Sequence, residues 1–410
     1  MSLFLPIFLF SIIFAPYLFL IPGGDGNGQF KLAYYLINGN YSPQLLVFHP
    51  PFKLFLFDTF LLLFGPWSTG FVGLLLGIAG IIAFYYIGKE LFNQKIALLS
   101  ACLLAISGLY LSVGTFSIDD FVMTVMILVA FAFYLKSKYI FYAVFSTCAI
   151  LTKETAIFFV ISVFIVAVIN KRKHFIEFLA PIAALLLWTI ILYANGQHLW
   201  NEYNFSPTKS QGSIYTMLHN LITFGFFNEY AYENWLHLFV FNYNWIYTIF
   251  ASIALFFLPK NKNKDGLIII ALFSLLFLTM VLGFQTWTIN RYTLPLLPFL
   301  YLFAIYGATK IRYTTVWLTI IFLAAFLSLA GSTDPVSHAI WPKVQIFNQE
   351  FFLSRNDGGD GITYNLQYLD VMQRRTSMLT HGQCNIPYLL SYDKETLKFL
   401  GIHTCSTYQQ

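Results

Sequence analysis

The sequence predicts an all-α polytopic integral membrane protein. Of its 410 residues, 58% are hydrophobic and 10% are charged, whereas a soluble globular protein carries about 25% charged residues. Phe, Tyr and Trp make up 20% of the chain, which suits a lipid-embedded protein with aromatic rings at the interface. Long apolar runs alternate with short polar connections, and about 20 apolar residues are enough for a helix to cross the hydrocarbon core. No soluble fold class accounts for this pattern.

The apolar runs predict a bundle of about 11 transmembrane helices. The first run has neither a basic leading segment nor a small-residue cleavage site, so we interpret it as a retained span and not as a signal peptide. The fifth and sixth runs are short and meet at Thr152-Lys153-Glu154, where they can form one broken or re-entrant element. The runs lie near residues 2–21, 67–88, 96–114, 120–135, 139–152, 155–170, 175–194, 235–258, 266–285, 291–308 and 313–331.

Basic residues predict the orientation of these spans. They are concentrated in alternate short connections, and the positive-inside rule places such connections in the cytoplasm. The N-terminus is then inside, and the first external loop (22–66) is outside. The net charge of +5 therefore reflects topology and does not indicate nucleic-acid binding. The basic connections contain Lys89, Lys95, Lys136, Lys138, Lys171, Arg172, Lys173, Lys260, Lys262, Lys264, Lys310 and Arg312.

The hydropathy divides the chain into two parts. Residues 1–331 form the predicted transmembrane domain, and the hydropathy drops after Gly331. Residues 332–410 are predicted to form a small extracytoplasmic C-terminal region. We expect a multi-pass protein of the plasma membrane whose active site faces the extracytoplasmic side.

The first external loop holds the main candidate catalytic residue, Asp25. It lies in the run Gly-Gly-Asp-Gly-Asn-Gly, and glycines let the backbone come close to a substrate. A carboxylate at the mouth of a membrane cavity can accept a proton from an attacking hydroxyl group. The structural alternative is a turn aspartate that caps the following helix.

The same loop ends in His49-Pro50-Pro51. Proline is favoured in the first turn of a helix, so the pair predicts a juxtamembrane helix over 52–65. This segment is too short to span the bilayer and is interrupted by charged residues such as Lys53, so we expect it at the interface. His49 either hydrogen-bonds a phosphate or a sugar, or is an interfacial histidine at the start of a helix.

Two charged motifs lie at the outer ends of the next spans. Asp119 and Asp120 open a span, where acids are favoured by capping and by the helix dipole. Since a charge that faces lipid is costly, at least one of them, with Asp120 preferred, is expected to face a cavity. Lys153-Glu154 breaks the positive-inside pattern, so Lys153 either binds an anion such as phosphate or pairs internally with Glu154.

Arg291-Tyr292 is the last charged motif, at the outer start of a late span. The helix dipole disfavours a cation at that position, which indicates an anion nearby. The alternative for Arg291 is an interfacial anchor. The predicted substrate-binding residues are therefore His49, Lys153, Glu154, Arg291 and Tyr292.

Several common motifs are absent from the sequence. It contains no P-loop, no dinucleotide-binding glycine motif, no zinc-protease motif and no nucleophile elbow. Because no cytoplasmic domain is present that could hold a nucleotide, a donor carried on a lipid is favoured over a nucleotide-activated donor. Acid-rich external loops can bind a divalent metal, but the oxygen ligands here are too sparse to support such a site, and we predict no cofactor.

In these residues the chain resembles the GT-C superfamily of integral-membrane glycosyltransferases. It is most similar to the group that contains the protein O-mannosyltransferases and the lipid A aminoarabinose transferases. The resemblance covers about residues 1–330 and rests on the order and spacing of motifs that are individually weak. These motifs are Asp25, His49-Pro50-Pro51-Phe52, Asp120, Leu151-Thr152-Lys153-Glu154-Thr155 and Arg291-Tyr292-Thr293-Leu294-Pro295-Leu296-Leu297-Pro298.

The resemblance implies a polyprenyl-phosphate-linked sugar that enters from the bilayer as the donor. It also implies Asp25 as the general base on an acceptor hydroxyl, with inversion at the sugar, and Asp119 or Asp120 as the residue that orients the sugar or supports the acceptor. The leaving polyprenyl phosphate would be held by Lys153, Arg291 and His49.

The acceptor stays open at this point. Protein O-mannosyltransferases usually carry Asp-Glu in the first loop, whereas Asp25 is followed here by Gly26, so a glycan or a lipid competes with a protein as the acceptor. The rival function is a lipid-linked glycan flippase or transporter, which would need the cations but no base. Such transporters often have repeats with broken helices, and the sequence shows no repeat. A third reading is a non-catalytic partner in an envelope complex.

Overall fold

The computed structural model describes most of the membrane domain and four short strand segments. It covers residues 2–15, 18, 50–64, 68–116, 119–171, 174–194, 222–223, 239, 244–258, 263–283, 290–330, 344–346, 349–351, 388–392 and 399–404. Asp25 and His49 lie outside the described residues. The predicted roles of these two residues therefore stay predictions.

Between residues 2 and 330, the described residues form mainly α-helices. Two 3-10 helices, Glu154–Ala156 and Asn290–Leu296, lie directly before α8 and α12. The α-helices are α1 (Phe4–Phe14), α2 (Phe52–Phe64), α3 (Ser68–Leu91), α4 (Gln94–Ala105), α5 (Gly108–Phe116), α6 (Asp119–Leu135), α7 (Tyr139–Ile150), α8 (Ile157–Ile169), α9 (Phe175–Ala194), α10 (Trp245–Phe256), α11 (Lys264–Gly283), α12 (Leu297–Ala308) and α13 (Thr314–Ala330).

The prediction of about 11 full-length spans is not confirmed. Within the described part of the chain, two segments are long and apolar enough to cross a membrane, Gly70–Leu91 and Phe175–Ala194. Other predicted spans are built from shorter helices. The predicted span 96–114, for example, is divided between α4 and α5.

A buried hydrogen bond accounts for the break between α4 and α5. The Ser107 hydroxyl lies 3.0 Å from the hydroxyl of Tyr301 on α12. The same Ser107 oxygen accepts from the backbone N–H of Tyr110 at 3.4 Å, as a capping serine does. The hydropathy of the sequence does not register this break, because both helices are apolar.

Helix α6 lies at the centre of the bundle. It packs against α3 and α7, and most of its residues from Asp119 to Tyr134 are buried. Its partner α3 approaches α1 so closely that a Cβ atom at Gly77 would overlap the ring of Phe10. By contrast, α9 is mostly exposed. Only 17% of its apolar stretch is buried inside the protein, and Ile176 on that helix is 83% exposed. These values are typical of a helix that faces lipid.

The C-terminal region contains β-structure, so the all-α prediction holds only for the membrane domain. Strands β1 (Val344–Ile346) and β2 (Gln349–Phe351) pair antiparallel, with Gln345 opposite Glu350. Strands β3 (Tyr388–Tyr392) and β4 (Phe399–Thr404) form a second antiparallel pair. Segments as short as these are invisible to an analysis based on membrane hydropathy. The division into two domains at residue 331 stays a prediction.

Candidate active site

Two buried ion pairs join the start of α2, the start of α6 and the turn between α7 and α8. The Nζ atom of Lys53, at the start of α2, lies 3.1 Å from Oδ1 of Asp119. The Nζ atom of Lys153, in the turn between α7 and α8, donates to Oδ1 of Asp120 at 2.7 Å. The two acids are adjacent at the start of α6, so a single helix end holds both lysines. We call these four residues the paired-charge cluster.

The start of α2 forms as Pro50-Pro51 predicts. The carbonyl oxygen of Pro51 accepts the first helical hydrogen bond, from the N–H of Phe55 at 3.1 Å. The N–H of Phe52 has no partner within the first turn of its own helix, and it donates to the carbonyl oxygen of Leu151 at 2.8 Å. This backbone bond ties the start of α2 to the turn that carries Lys153.

The start of α6 suits two carboxylates. Partial positive charge at a helix N-terminus stabilises acids in the first turn. Successive residues of an α-helix point about 100° apart, so Asp119 and Asp120 can reach different partners. The helix end is held from another side by the ring of Phe121, whose centroid lies 5.0 Å from that of Tyr110. The Tyr110 hydroxyl in turn donates to the carbonyl oxygen of Gly77 at 3.1 Å.

The turn that carries Lys153 is also well defined. Lys153 has an extended backbone (φ −149°, ψ 127°) immediately before the 3-10 helix Glu154–Ala156. Its N–H donates to the carbonyl oxygen of Ala149 at 3.1 Å, and the Thr152 hydroxyl donates to that of Cys148 at 2.7 Å. Glu154 is buried beside it, with 4% exposure. The turn is therefore anchored to the end of α7.

The burial of this cluster is costly. The side chains of Lys53 and Asp119 are 3% and 5% exposed, and those of Lys153 and Asp120 are 7% and 2% exposed. Taking a charge out of water costs several kcal/mol per ion, and apolar residues of similar volume often serve stability as well or better. Ionisable groups that persist at membrane depth usually serve a function. The paired-charge cluster is therefore the best candidate for part of an active site.

The segment that carries the last charged motif, Arg291-Tyr292, also contacts α6. The 3-10 helix Asn290–Leu296 packs against α5 and α6, and its Thr293 and Leu294 are fully buried. Arg291 and Tyr292 lie in this helix, and their side chains are outside the part of the molecule that the structure describes.

The structure brings three of the predicted site residues, Asp119, Asp120 and Lys153, together at the start of α6. Asp119 and Asp120 open α6, and both are buried and paired with lysines. Lys153 pairs with Asp120, a partner that was not foreseen from the sequence. Among the described residues, no group of three or more His, Cys, Asp and Glu side chains could hold a metal ion. The chemical roles assigned to these residues stay predictions.

Sequence reasoning missed one member of the cluster, Lys53. Its position in a short apolar helix predicted an interfacial location, but the structure buries it to 2% exposure within the protein. A usable signal was present, because a lysine directly after Pro-Pro-Phe in an apolar segment needs an acidic partner if the helix docks on the bundle.

Comparisons with known proteins show what the fold and part of the sequence are similar to. Residues 48–197 match the family model described as dolichyl-phosphate-mannose-protein mannosyltransferase. This range contains the start of α2, the start of α6 and the Lys153 turn. No curated protein matches the chain in sequence.

Solved structures show the same fold. ArnT from Cupriavidus metallidurans, crystallised with undecaprenyl phosphate, is 14% identical with a TM-score of 0.56, and the match covers 80% of this chain and 64% of ArnT. The oligosaccharyltransferase AglB from Archaeoglobus fulgidus, in complex with an inhibitory peptide and a dolichol-phosphate, is 11% identical with a TM-score of 0.50. That match covers 93% of this chain and 58% of AglB. The resemblance to the GT-C superfamily is thus confirmed, and the chain spans less than two thirds of the length of either structure.

Proposed function

We propose that the protein is a membrane glycosyltransferase that moves a sugar from a polyprenyl-phosphate carrier to an acceptor hydroxyl group. The observation that carries this proposal is the paired-charge cluster, in which two lysines from separate motifs lie buried at one helix end. Lysine is a common ligand of phosphate groups. The GT-C fold and the polyprenyl phosphates bound by ArnT and AglB support a donor of the same chemical class.

The proposed reaction is a single displacement with inversion at the anomeric carbon. The Asp25 carboxylate takes the proton of the acceptor hydroxyl as its oxygen forms a bond to the anomeric carbon. The bond between that carbon and the phosphate oxygen breaks, and the phosphate keeps the electron pair. Asp25 ends protonated and later returns its proton to water.

The leaving phosphate gains negative charge in this step, and cations stabilise such charge. Lys153, Arg291 and His49 are proposed to hold the phosphate. Glu154 and Tyr292 adjoin two of these cations in sequence and are proposed to complete the donor site. Asp119 and Asp120 keep the roles implied by the family resemblance, orienting the sugar or supporting the acceptor. We propose no metal and no organic cofactor.

We propose that the site opens to the extracytoplasmic face of the plasma membrane, because the basic connections are predicted to be cytoplasmic. A glycan, a lipid or a protein can each supply the acceptor hydroxyl. The experiment uses purified protein in liposomes with radiolabelled undecaprenyl-phosphate hexoses and a crude envelope extract as the acceptor source. Transfer of label and release of free undecaprenyl phosphate are both measured.

Asp25→Asn should lower kcat by about 10²- to 10⁴-fold, the usual contribution of a general base. Asp265→Asn, a matched change at the start of α11, should leave kcat unchanged. If transfer and release continue at the wild-type rate in Asp25→Asn, the proposed mechanism is wrong. Movement of the labelled lipid between leaflets without release of undecaprenyl phosphate would instead identify a flippase.

A further inference from the structure

The paired-charge cluster is part of a closed ring of contacts. One side of the ring is the ion pair between Lys53 and Asp119, and the opposite side is the pair between Asp120 and Lys153. The ring is closed by the bond from the Phe52 N–H to the Leu151 carbonyl oxygen. In order, it runs through Lys53, Asp119, Asp120, Lys153, Thr152, Leu151 and Phe52.

We propose that Lys53 is a positioning residue that fixes the ammonium group of Lys153 through this ring. The inference rests on the proposed function, in which Lys153 holds the phosphate of the donor. Lys53 itself need not touch the donor. It neutralises Asp119, and it anchors α2 to the same helix end that holds Lys153.

The charge balance of the cluster supports this role. Two lysines face two aspartates, and all four side chains are buried, with exposures of 7% or less. If Lys53 lost its charge, the adjacent carboxylates of Asp119 and Asp120 would compete for the one remaining ammonium group. Lys153 would then be drawn between two acceptors and would no longer be aligned on Asp120. This competition arises when Lys53 alone is replaced. When Asp119 is replaced with it, the competing carboxylate is gone and the loss that remains is the anchor of α2.

Two contacts also anchor the start of α2 mechanically. The Phe52–Leu151 bond and the Lys53–Asp119 pair leave from successive residues, so they fix both the position and the rotation of the start of α2. Leu151 lies two residues before Lys153. A shift of α2 is therefore passed to the Lys153 turn through the backbone, and displacements of about 1 Å in a site can cost about 10²-fold in rate.

A purely structural pair predicts different behaviour from a positioning pair. Replacing both members of a buried ion pair by apolar residues is often neutral or stabilising, whereas removing one member is strongly destabilising. Lys53→Met/Asp119→Met should therefore fold as well as the wild type. If the pair only stabilises the fold, this double variant also keeps its affinity for undecaprenyl phosphate, and if the pair positions Lys153, it does not.

The experiment measures the Kd of undecaprenyl phosphate in nanodiscs, with transfer kinetics and thermal unfolding on the same preparations. We expect Lys53→Met/Asp119→Met to unfold within a few degrees of the wild type and to bind about tenfold more weakly. Lys153→Met should weaken binding in the wild type but add little in the double variant, because residues that act as a unit are non-additive. Lys53→Arg, which keeps the charge opposite Asp119, should bind more tightly than Lys53→Met.

Lys136→Met is the matched control, since it removes an exposed lysine near the opposite end of α6, and it should leave the Kd unchanged. The proposal is overturned if the double variant binds like the wild type. It is also overturned if Lys153→Met acts equally in both backgrounds, or if Lys53→Arg is as defective as Lys53→Met. Binding of undecaprenyl phosphate without any sugar transfer would refute the proposed function and leave the positioning role standing.

Discussion

The Asp120–Lys153 pair provides a sharp test of how burial sets the strength of an ion pair. Asp120→Asn removes one charge while nearly preserving the shape of the side chain. The pair is 2.7 Å long and its side chains are 2% and 7% exposed, so the change leaves a buried ammonium group without its carboxylate. Breaking a buried pair from one side costs about 3–5 kcal/mol, and we expect that loss in the free energy of unfolding.

An exposed acid–base contact of similar length offers a matched control, and it is an ion pair when His174 is protonated. His174 and Glu177 lie 3.0 Å apart, but their side chains are 49% and 24% exposed. Exposed pairs contribute about 0.2–1 kcal/mol, so Glu177→Gln should lower the free energy of unfolding by no more than about 1 kcal/mol. The assay is unfolding by SDS titration in mixed micelles, followed by tryptophan fluorescence.

Equal losses in Asp120→Asn and Glu177→Gln would refute this reasoning, because burial would then make no difference. A third variant separates stability from function. Asp120→Leu/Lys153→Met should recover most of the lost free energy, since an apolar pair of similar volume can replace a buried ion pair. It should not recover binding of undecaprenyl phosphate if Lys153 holds the phosphate.

Three further predictions concern the bundle and its orientation. A Cβ atom at Gly307 would overlap the carbonyl oxygen of Phe250, so Gly307→Ala should separate α10 from α12 and lower the melting temperature in detergent by several degrees. Tyr301→Phe should cost about 1 kcal/mol of unfolding free energy by removing the bond to Ser107. Ser107→Ala should cost more than Tyr301→Phe, because it also removes the acceptor of the Tyr110 N–H. In a cysteine-free background, Lys171→Cys should react with an impermeant thiol reagent only from the cytoplasmic side, and labelling from outside would reverse the predicted topology.

The starts of two helices could be predicted from the sequence because their signals are local. Pro50-Pro51 fixes backbone dihedral angles and lacks the N–H groups that a first turn leaves unpaired, and α2 does begin at Phe52. Asp119 and Asp120 suit the positive end of a helix, and α6 begins at Asp119. Each inference needed only the residues next to the boundary.

The partners of these residues could not be predicted, because they come from distant parts of the chain. Nothing near Lys53 in sequence indicates Asp119, and the local alternative for Lys153 was Glu154, whereas the structure pairs it with Asp120. The break at Ser107 is equally non-local, since it involves Tyr301 on another helix. Hydropathy measures the tendency of a segment to leave water, and it carries no information about which polar groups meet inside the bundle.

The bond between Phe52 and Leu151 has a consequence for how this protein can vary. Both atoms of the bond belong to the main chain, so almost any pair of amino acids at these positions can make it. Only proline at position 52 would abolish the donor, and the first turn of a helix is the place where proline is otherwise tolerated. Mutation can therefore exchange both side chains while the link between α2 and the Lys153 turn persists, which makes this link robust to sequence divergence.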